Sequence, residues 1–215
     1  MKYRNLEILW LGHAGFLIKS DINVYIDPFK LNRDDEKADL VLITHGHYDH
    51  CSVEDVKKII KHGTKIIGPI DILSQTRQIE DGIDFDIASP GKTLEFKGIK
   101  IHCIESYNSD KRFHPKNEGW VGYVVDFKGT KIYHSGDSDL IPEMRNVKCD
   151  VALLPVGGKF TMNSNEAALA AGIIKPDLAI PMHWGSIVGS ESDAKNFVSN
   201  CKLKGINAVV LEKFS

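Results

Sequence analysis

Apolar residues fall in short runs along the chain, some alternating with polar positions and some continuous, cut by Gly, Asp and Asn. That pattern predicts strands in both halves. In the first half LEILWLG (6–12), AGFLIKS (14–20), NVYIDP (23–28) and ADLVLITH (38–45) read as strands. The period then changes. Val53, Val56, Ile59 and Ile60 mark a helical face, opened by Ser52 and Asp55 as a capping box and stopped at Gly63; KIIGP (65–69) follows as a short strand. In the second half KTLEFKG (92–98), IKIHCIES (99–106), WVGYVVDFKG (120–129), KIYHSGD (131–137) and DVALLPVG (150–157) read as strands, and FKG twice has turn chemistry. A helix over about 163–174 has Asn163 as N-cap, Glu166 behind it and Lys175-Pro176 at its end. LAIPMHWG (178–185) is a strand, Ser190 with Asp193 opens a helix to about Gly205, and INAVVLEKF (206–214) reads as a last strand. Strands before helices, twice over, predict an α/β chain of two packed sheets with helices on their outer faces.

Composition narrows the class without changing that outline. The 215 residues suit one domain, residues 1–215, and 42% apolar with 26% charged is ordinary globular composition. The net charge of −2 and the scattered Lys and Arg disfavour a nucleic-acid partner. Gly12, His13 and Lys19 interrupt the first apolar stretch, so it reads as strands and not as a signal peptide. No apolar run is long enough to span a bilayer, so no membrane partner is expected. The four cysteines stand far apart with no CxxC, which argues against a thiolate zinc cage or a dithiol redox motif and leaves the cytoplasm as the expected compartment.

The strand ADLVLITH runs into THGHYDH, three histidines and an aspartate in one short segment. In extended chain His45 and His47 point the same way and can share one ion, while Asp49 and His50 lie where the chain turns and can face a second. The bland alternative, surface histidines on a loop, fits poorly with a cluster that follows a buried strand. Imidazole with carboxylate suits zinc, manganese or iron. The cluster alone is too small for two closed sites. Asp137 and His183 also end strands, and Asp27, ending a third, is placed to accept a ligand histidine's ring N–H. Each of these alone reads equally well as a strand-end polar residue facing water.

THGHYDH with HSGDS and PMHW at their distances resembles the metallo-β-lactamase superfamily across nearly the whole chain. WLGHAGFLI, IDPF, IYHSGD, DVALLPVGGKFTM and IPMHWG resemble its compact metal-dependent hydrolases, grouped with L-ascorbate-6-phosphate lactonase and N-acylphosphatidylethanolamine phospholipase D. The resemblance implies a metallo-β-lactamase-like four-layer αββα sandwich of two mixed β-sheets flanked by helices. It implies one or two divalent ions, zinc first and manganese or iron after, on the sheets' shared edge. His45 and His47 would bind the first ion, Asp49, His50 and His183 the second, with Asp137 as the bridge. His13 would stand beside the pocket as a supporting residue with Asp27, although a lone GHAG histidine otherwise reads as a turn residue.

One position departs from the pattern. Where relatives place another first-ion histidine, this chain has IESYNSD, with Ser106, Tyr107 or Asn108 at that place. His114 is the leading substitute, ligation by the Asn108 amide oxygen is a second reading, and a weak first site filled by water or substrate is a third. His102 lies inside a strand and suits less. The loop around His114 carries Lys111, Arg112 and Lys116, either a solvated basic loop or, with Asn108, a substrate contact for phosphate or carboxylate. The implied enzyme is a hydrolase that uses a metal-activated hydroxide on a small ester, lactone or phosphorylated molecule, with Asp49 holding the nucleophile and His134 a candidate proton donor. The alternatives are a phosphodiesterase or nuclease, and a non-catalytic metal-binding protein with a degraded first site. A small-molecule substrate is the expected partner, and a homo-oligomer is left open.

Overall fold

The computed structural model describes residues 1–31, 36–79 and 83–214, and the chain divides into two compact units, residues 1–88 with 211–215 and residues 89–210. Among the described residues the first unit builds a seven-stranded sheet in sequence order. Its strands are β1 (Lys2–Tyr3), β2 (Leu6–Gly12), β3 (Gly15–Lys19), β4 (Asn23–Ile26), β5 (Leu40–Leu42), β6 (Lys65–Gly68) and β7 (Asp84–Ile87). The sheet is antiparallel from β1 to β4 and parallel from β4 to β7. Parallel neighbours need crossovers, and the helices α1 (Val53–Ile59) and α2 (Leu73–Ile79) supply two of them. Val56 and Ile59 of α1 pack with Val41, Ile66 and Ile72 in this unit's core.

The second unit repeats the plan. Its six-stranded sheet comprises β8 (Thr93–Phe96), β9 (Ile99–Glu105), β10 (Val121–Phe127), β11 (Thr130–His134), β12 (Val151–Pro155) and β13 (Leu178–Met182). It is antiparallel to β11 and parallel from there to β13. Both FKG turns join neighbouring strands, with positive φ at Lys97-Gly98 and at Lys128-Gly129, as a type I′ hairpin turn requires. The helices are α3 (Ser164–Ile174) and α4 (Glu191–Leu203), each opened by a full capping box, Asn163 with Glu166 and Ser190 with Asp193. Ala167, Ala168, Ala170 and Ala171 of α3 are wholly buried, and their small side chains pack in one core with Phe197 and Cys201 of α4.

Three elements differ from the expectation, each for a local reason. The strand expected over 38–45 keeps ladder geometry only at Leu40–Leu42, because the Thr44 N–H turns to the Asp27 carboxylate. The expected Ser52–Asp55 capping box forms by half: Ser52 Oγ accepts the Asp55 N–H, while the Asp55 carboxylate accepts the N–H groups of Lys30 and Leu31. The expected strand 206–214 forms no ladder. Ala208 makes an isolated parallel bridge to Ala179 in the second unit and Lys213 one to Trp10 in the first, so no single sheet takes the whole segment. The helix α2 and strand β7 carry too little apolar periodicity to be read in advance. No described helix is long and apolar enough to cross a membrane.

Candidate metal centre

In the first unit the chain after β5 is shaped by one buried carboxylate. Asp27, fully buried and in the left-handed region at φ 46°, follows β4. Its Oδ1 accepts the Thr44 N–H at 2.8 Å, and its Oδ2 accepts the Thr44 hydroxyl at 2.7 Å and lies 2.7 Å from His50 Nδ1. Thr44 Oγ1, its one hydrogen given to Asp27, must accept from His45 Nδ1 at 2.9 Å. Both histidines therefore carry the proton on Nδ1, leaving Nε2 as the lone-pair nitrogen. His45 Nε2 faces His47 Nδ1 at 3.1 Å. His13, in the turn after β2 with φ 52°, puts its Nε2 2.9 Å from Asp49 Oδ2, and the Trp10 indole N–H holds its carbonyl. His50 Nε2 lies 3.7 Å from the same Asp49 oxygen.

In the second unit the candidates come from three separate segments. Asp137 follows β11, and its Oδ2 lies 3.0 Å from His183 Nε2 and 3.3 Å from His114 Nε2. All three side chains are buried. His183 leaves β13 in the left-handed region at φ 58°, its carbonyl so close to Gly157 that a Cβ there would stand 2.7 Å from the oxygen. Backbone strain of this kind gathers at functional sites, and His13, Asp27 and His183 all show it. His134 ends β11 fully buried; its Nδ1 accepts the Gly136 N–H at 3.1 Å, which puts its proton on Nε2.

A family model described as a β-lactamase superfamily domain matches residues 7–183. The chain belongs to the β-lactamase superfamily. Within it the chain is a metal-dependent hydrolase by its relatives. It is 35% identical to a UPF0173 metal-dependent hydrolase of Thermoplasma acidophilum, over 97% of this chain and 96% of that one. Among solved structures it matches a candidate metal-dependent hydrolase from Parabacteroides distasonis at 28% identity and TM-score 0.84, covering 97% and 94% of the two chains. It also matches a metallo hydrolase of the archaeon Ignicoccus hospitalis at 25% identity and TM-score 0.81, covering 98% and 96%. Two mixed sheets with helices thus carry the superfamily's α/β fold in this hydrolase.

The donor set of the hydrolase fits divalent metal. Two nitrogens on one tetrahedral zinc at about 2.0–2.1 Å lie about 3.3 Å apart. The His45–His47 separation of 3.1 Å is close to that, and so are the approaches of His114 and His183 to Asp137. Cys51 adds no ready thiolate, since burial and the nearby Asp27 carboxylate push its thiol up to about 12. The basic residues of the hydrolase's 108–119 loop are placed differently from one another. Lys111 bonds Asp139 at 2.6 Å, Lys116 bonds Glu143 at 2.8 Å and stacks over the Tyr107 ring, and Arg112 is exposed. Burial alone would raise the Glu143 pKa, but Lys116 and the Tyr107 hydroxyl hold it below the usual range. Sequence reasoning missed Thr44 and Gly157. The one signal for Thr44 was a hydroxyl closing the apolar run LVLI; Gly157 gave none.

Proposed function

We propose that this hydrolase holds two divalent ions, zinc foremost, on His45, His47, Asp49, His50, Asp137 and His183, with His114 in place of the missing strand-end histidine, and cleaves a small ester, lactone or phosphorylated molecule. The observation that carries the reading is the Asp27–Thr44 relay, which fixes Nδ1–H on both His45 and His50 and so presents Nε2 for ligation. Divalent cations held there would supply Lewis acidity, lowering the pKa of water to about 7 and polarising the scissile group. Asp49 orients the attacking water, with His13 Nε2–H steadying its Oδ2. Asp137 offers one oxygen to the neighbourhoods of both His114 and His183, as a bridging carboxylate would. His134, with its proton on Nε2, is the candidate donor to the leaving group. A reducing cytoplasmic setting belongs to the proposal, and four unbridged cysteines fit it. The test is elemental analysis of the purified protein, joined to hydrolysis panels of esters, lactones and phosphodiesters. Two ions per chain and a loss of about 100-fold or more in Asp49→Ala are expected. Equal rates in the two proteins across every panel would sink the reading.

A further inference from the structure

The side chain of Asn108 is saturated by partners whose chemistry leaves no choice. Its Oδ1 lies 3.1 Å from the His114 backbone nitrogen, an obligate donor, and its Nδ2 lies 3.0 Å from the Phe160 carbonyl and 3.4 Å from the Asp137 carbonyl, both obligate acceptors. The carboxamide therefore has one allowed orientation, oxygen towards His114 and nitrogen towards the two carbonyls. The same Oδ1 stands 3.1 Å from His114 Nδ1. Facing an acceptor that cannot donate, Nδ1 must carry the proton, so in the neutral ring that binds metal Nε2, the nitrogen 3.3 Å from Asp137, is the lone-pair atom.

We infer that Asn108 is a positioning residue for metal binding: it fixes the tautomer and orientation of His114, so that a histidine from a loop takes the place of one from a strand end. This rests on the ligand role proposed for His114. With both lone pairs and both amide hydrogens engaged, Asn108 has no capacity left as a metal ligand or a substrate contact. Its bonds also couple three segments. The backbone N–H of Asn108 bonds the His114 carbonyl at 2.7 Å, closing the loop, and its amide fastens that loop to the segment carrying Asp137. The buried Asp139 continues the seam, accepting the Ser109 N–H and the Lys111 ammonium and donating its own N–H to the Tyr107 carbonyl. His45 and His50 receive the same service from Thr44 and Asp27, with different chemistry.

Two measurements test the inference. Apo protein is titrated with zinc against a chromophoric chelator in the wild type, Asn108→Ala, His114→Ala and the double variant. The orienting partner of a ligand is worth 10- to 100-fold in affinity, so Asn108→Ala should weaken one of two zinc sites by about that factor. His114→Ala should weaken the same site, and the double variant should lose no more than His114→Ala alone. Losses that add in the double variant, or a wild-type affinity in Asn108→Ala, would overturn the inference. A wild type that binds no zinc would overturn the ligand reading itself. The second measurement needs no substitution at Asn108: long-range proton–nitrogen spectra of the imidazoles in zinc-free wild type, with the His114 signals assigned by their loss in His114→Gln. The spectra are taken at a pH high enough to keep the ring neutral, where an Nδ1–H tautomer for His114 supports the inference and an Nε2–H tautomer overturns it whatever the zinc titration gives.

Discussion

The two units present their candidate ligands in opposite ways. The first draws His45, His47, Asp49 and His50 from one stretch and orients two of the rings through a single buried carboxylate, Asp27, with Thr44 as its relay. The second draws His114, Asp137 and His183 from three segments and holds them by a saturated amide at Asn108 and by close backbone approach at Gly157. A contiguous set needs one well-placed anchor, because the chain itself keeps its members together. A dispersed set has no such help, so its geometry depends on contacts that tie loop to loop.

The largest effect expected follows from removing the first unit's anchor. Asp27→Ala strips a fully buried carboxylate from His50, from the Thr44 hydroxyl and from the Thr44 N–H. Leaving a buried donor such as the Thr44 N–H without its acceptor costs about 1–3 kcal/mol, and Asp27 serves three donors at once. Without Asp27 His50 Nδ1 loses its 2.7 Å acceptor and keeps only the Thr44 hydroxyl at 3.4 Å, so zinc affinity should fall with stability. Chemical denaturation and zinc titration read the two losses. A variant with wild-type stability and zinc affinity would show that the relay is idle and that contiguity alone suffices.

The matching change in the second unit is Gly157→Ala, with a somewhat smaller expected effect. The new Cβ would stand 2.7 Å from the His183 carbonyl oxygen and 2.9 Å from Val188 Cγ1, and backbone cannot yield as a long side chain can. Overpacking of this kind costs about 1–3 kcal/mol. The displaced group is a proposed ligand, so zinc binding should drop more sharply than stability. Equal zinc binding in Gly157→Ala and wild type would mean that His183 tolerates movement, and the contrast between the units would lose half its basis.

How much of this was legible in the sequence follows the same divide. THGHYDH is visible because its chemistry is written in consecutive residues, and Asp137 and His183 are visible as polar ends of apolar strands. The sheets are visible too, since continuous runs such as LVLI and VALL suit strands buried on both faces, as β5 and β12 are. The supporting groups are not. Thr44 acquires meaning only when Asp27, 17 residues earlier, comes back against it. Gly157 reads as one glycine among 18 until His183 is placed beside it. Asn108 reads from the sequence as ligand, substrate contact or neither, and only its four hydrogen bonds decide. The 206–214 segment fails for a related reason: its apolar pattern is that of a strand, but its pairing is divided between the two units.

The smallest expected effect bears on how far the first unit's anchoring extends. Asp55, in the first turn of α1, accepts the backbone N–H groups of Lys30 and Leu31 and bonds Lys58 at 2.9 Å, fastening the chain just after Asp27. Burial alone would raise its pKa, but Lys58, the Ser52 hydroxyl and the two N–H groups outweigh it and hold the carboxyl below its ordinary value of 3.8. A carboxyl whose pKa is depressed in the folded state stabilises the fold above the unfolded value, and that stability is lost as pH falls through the folded value. Asp55→Asn should therefore cost about 1–2 kcal/mol at pH 7. The gap between wild type and variant should narrow as the pH drops below about 4. Zinc affinity should stay as in the wild type, because the change leaves Asp27, Thr44 and the histidines in place. Denaturation curves from pH 7 to pH 2 measure the gap. A difference constant across that range would assign the loss to packing instead of charge, and a fall in zinc affinity would extend the anchoring of the ligand segment from Asp27 to the first turn of α1.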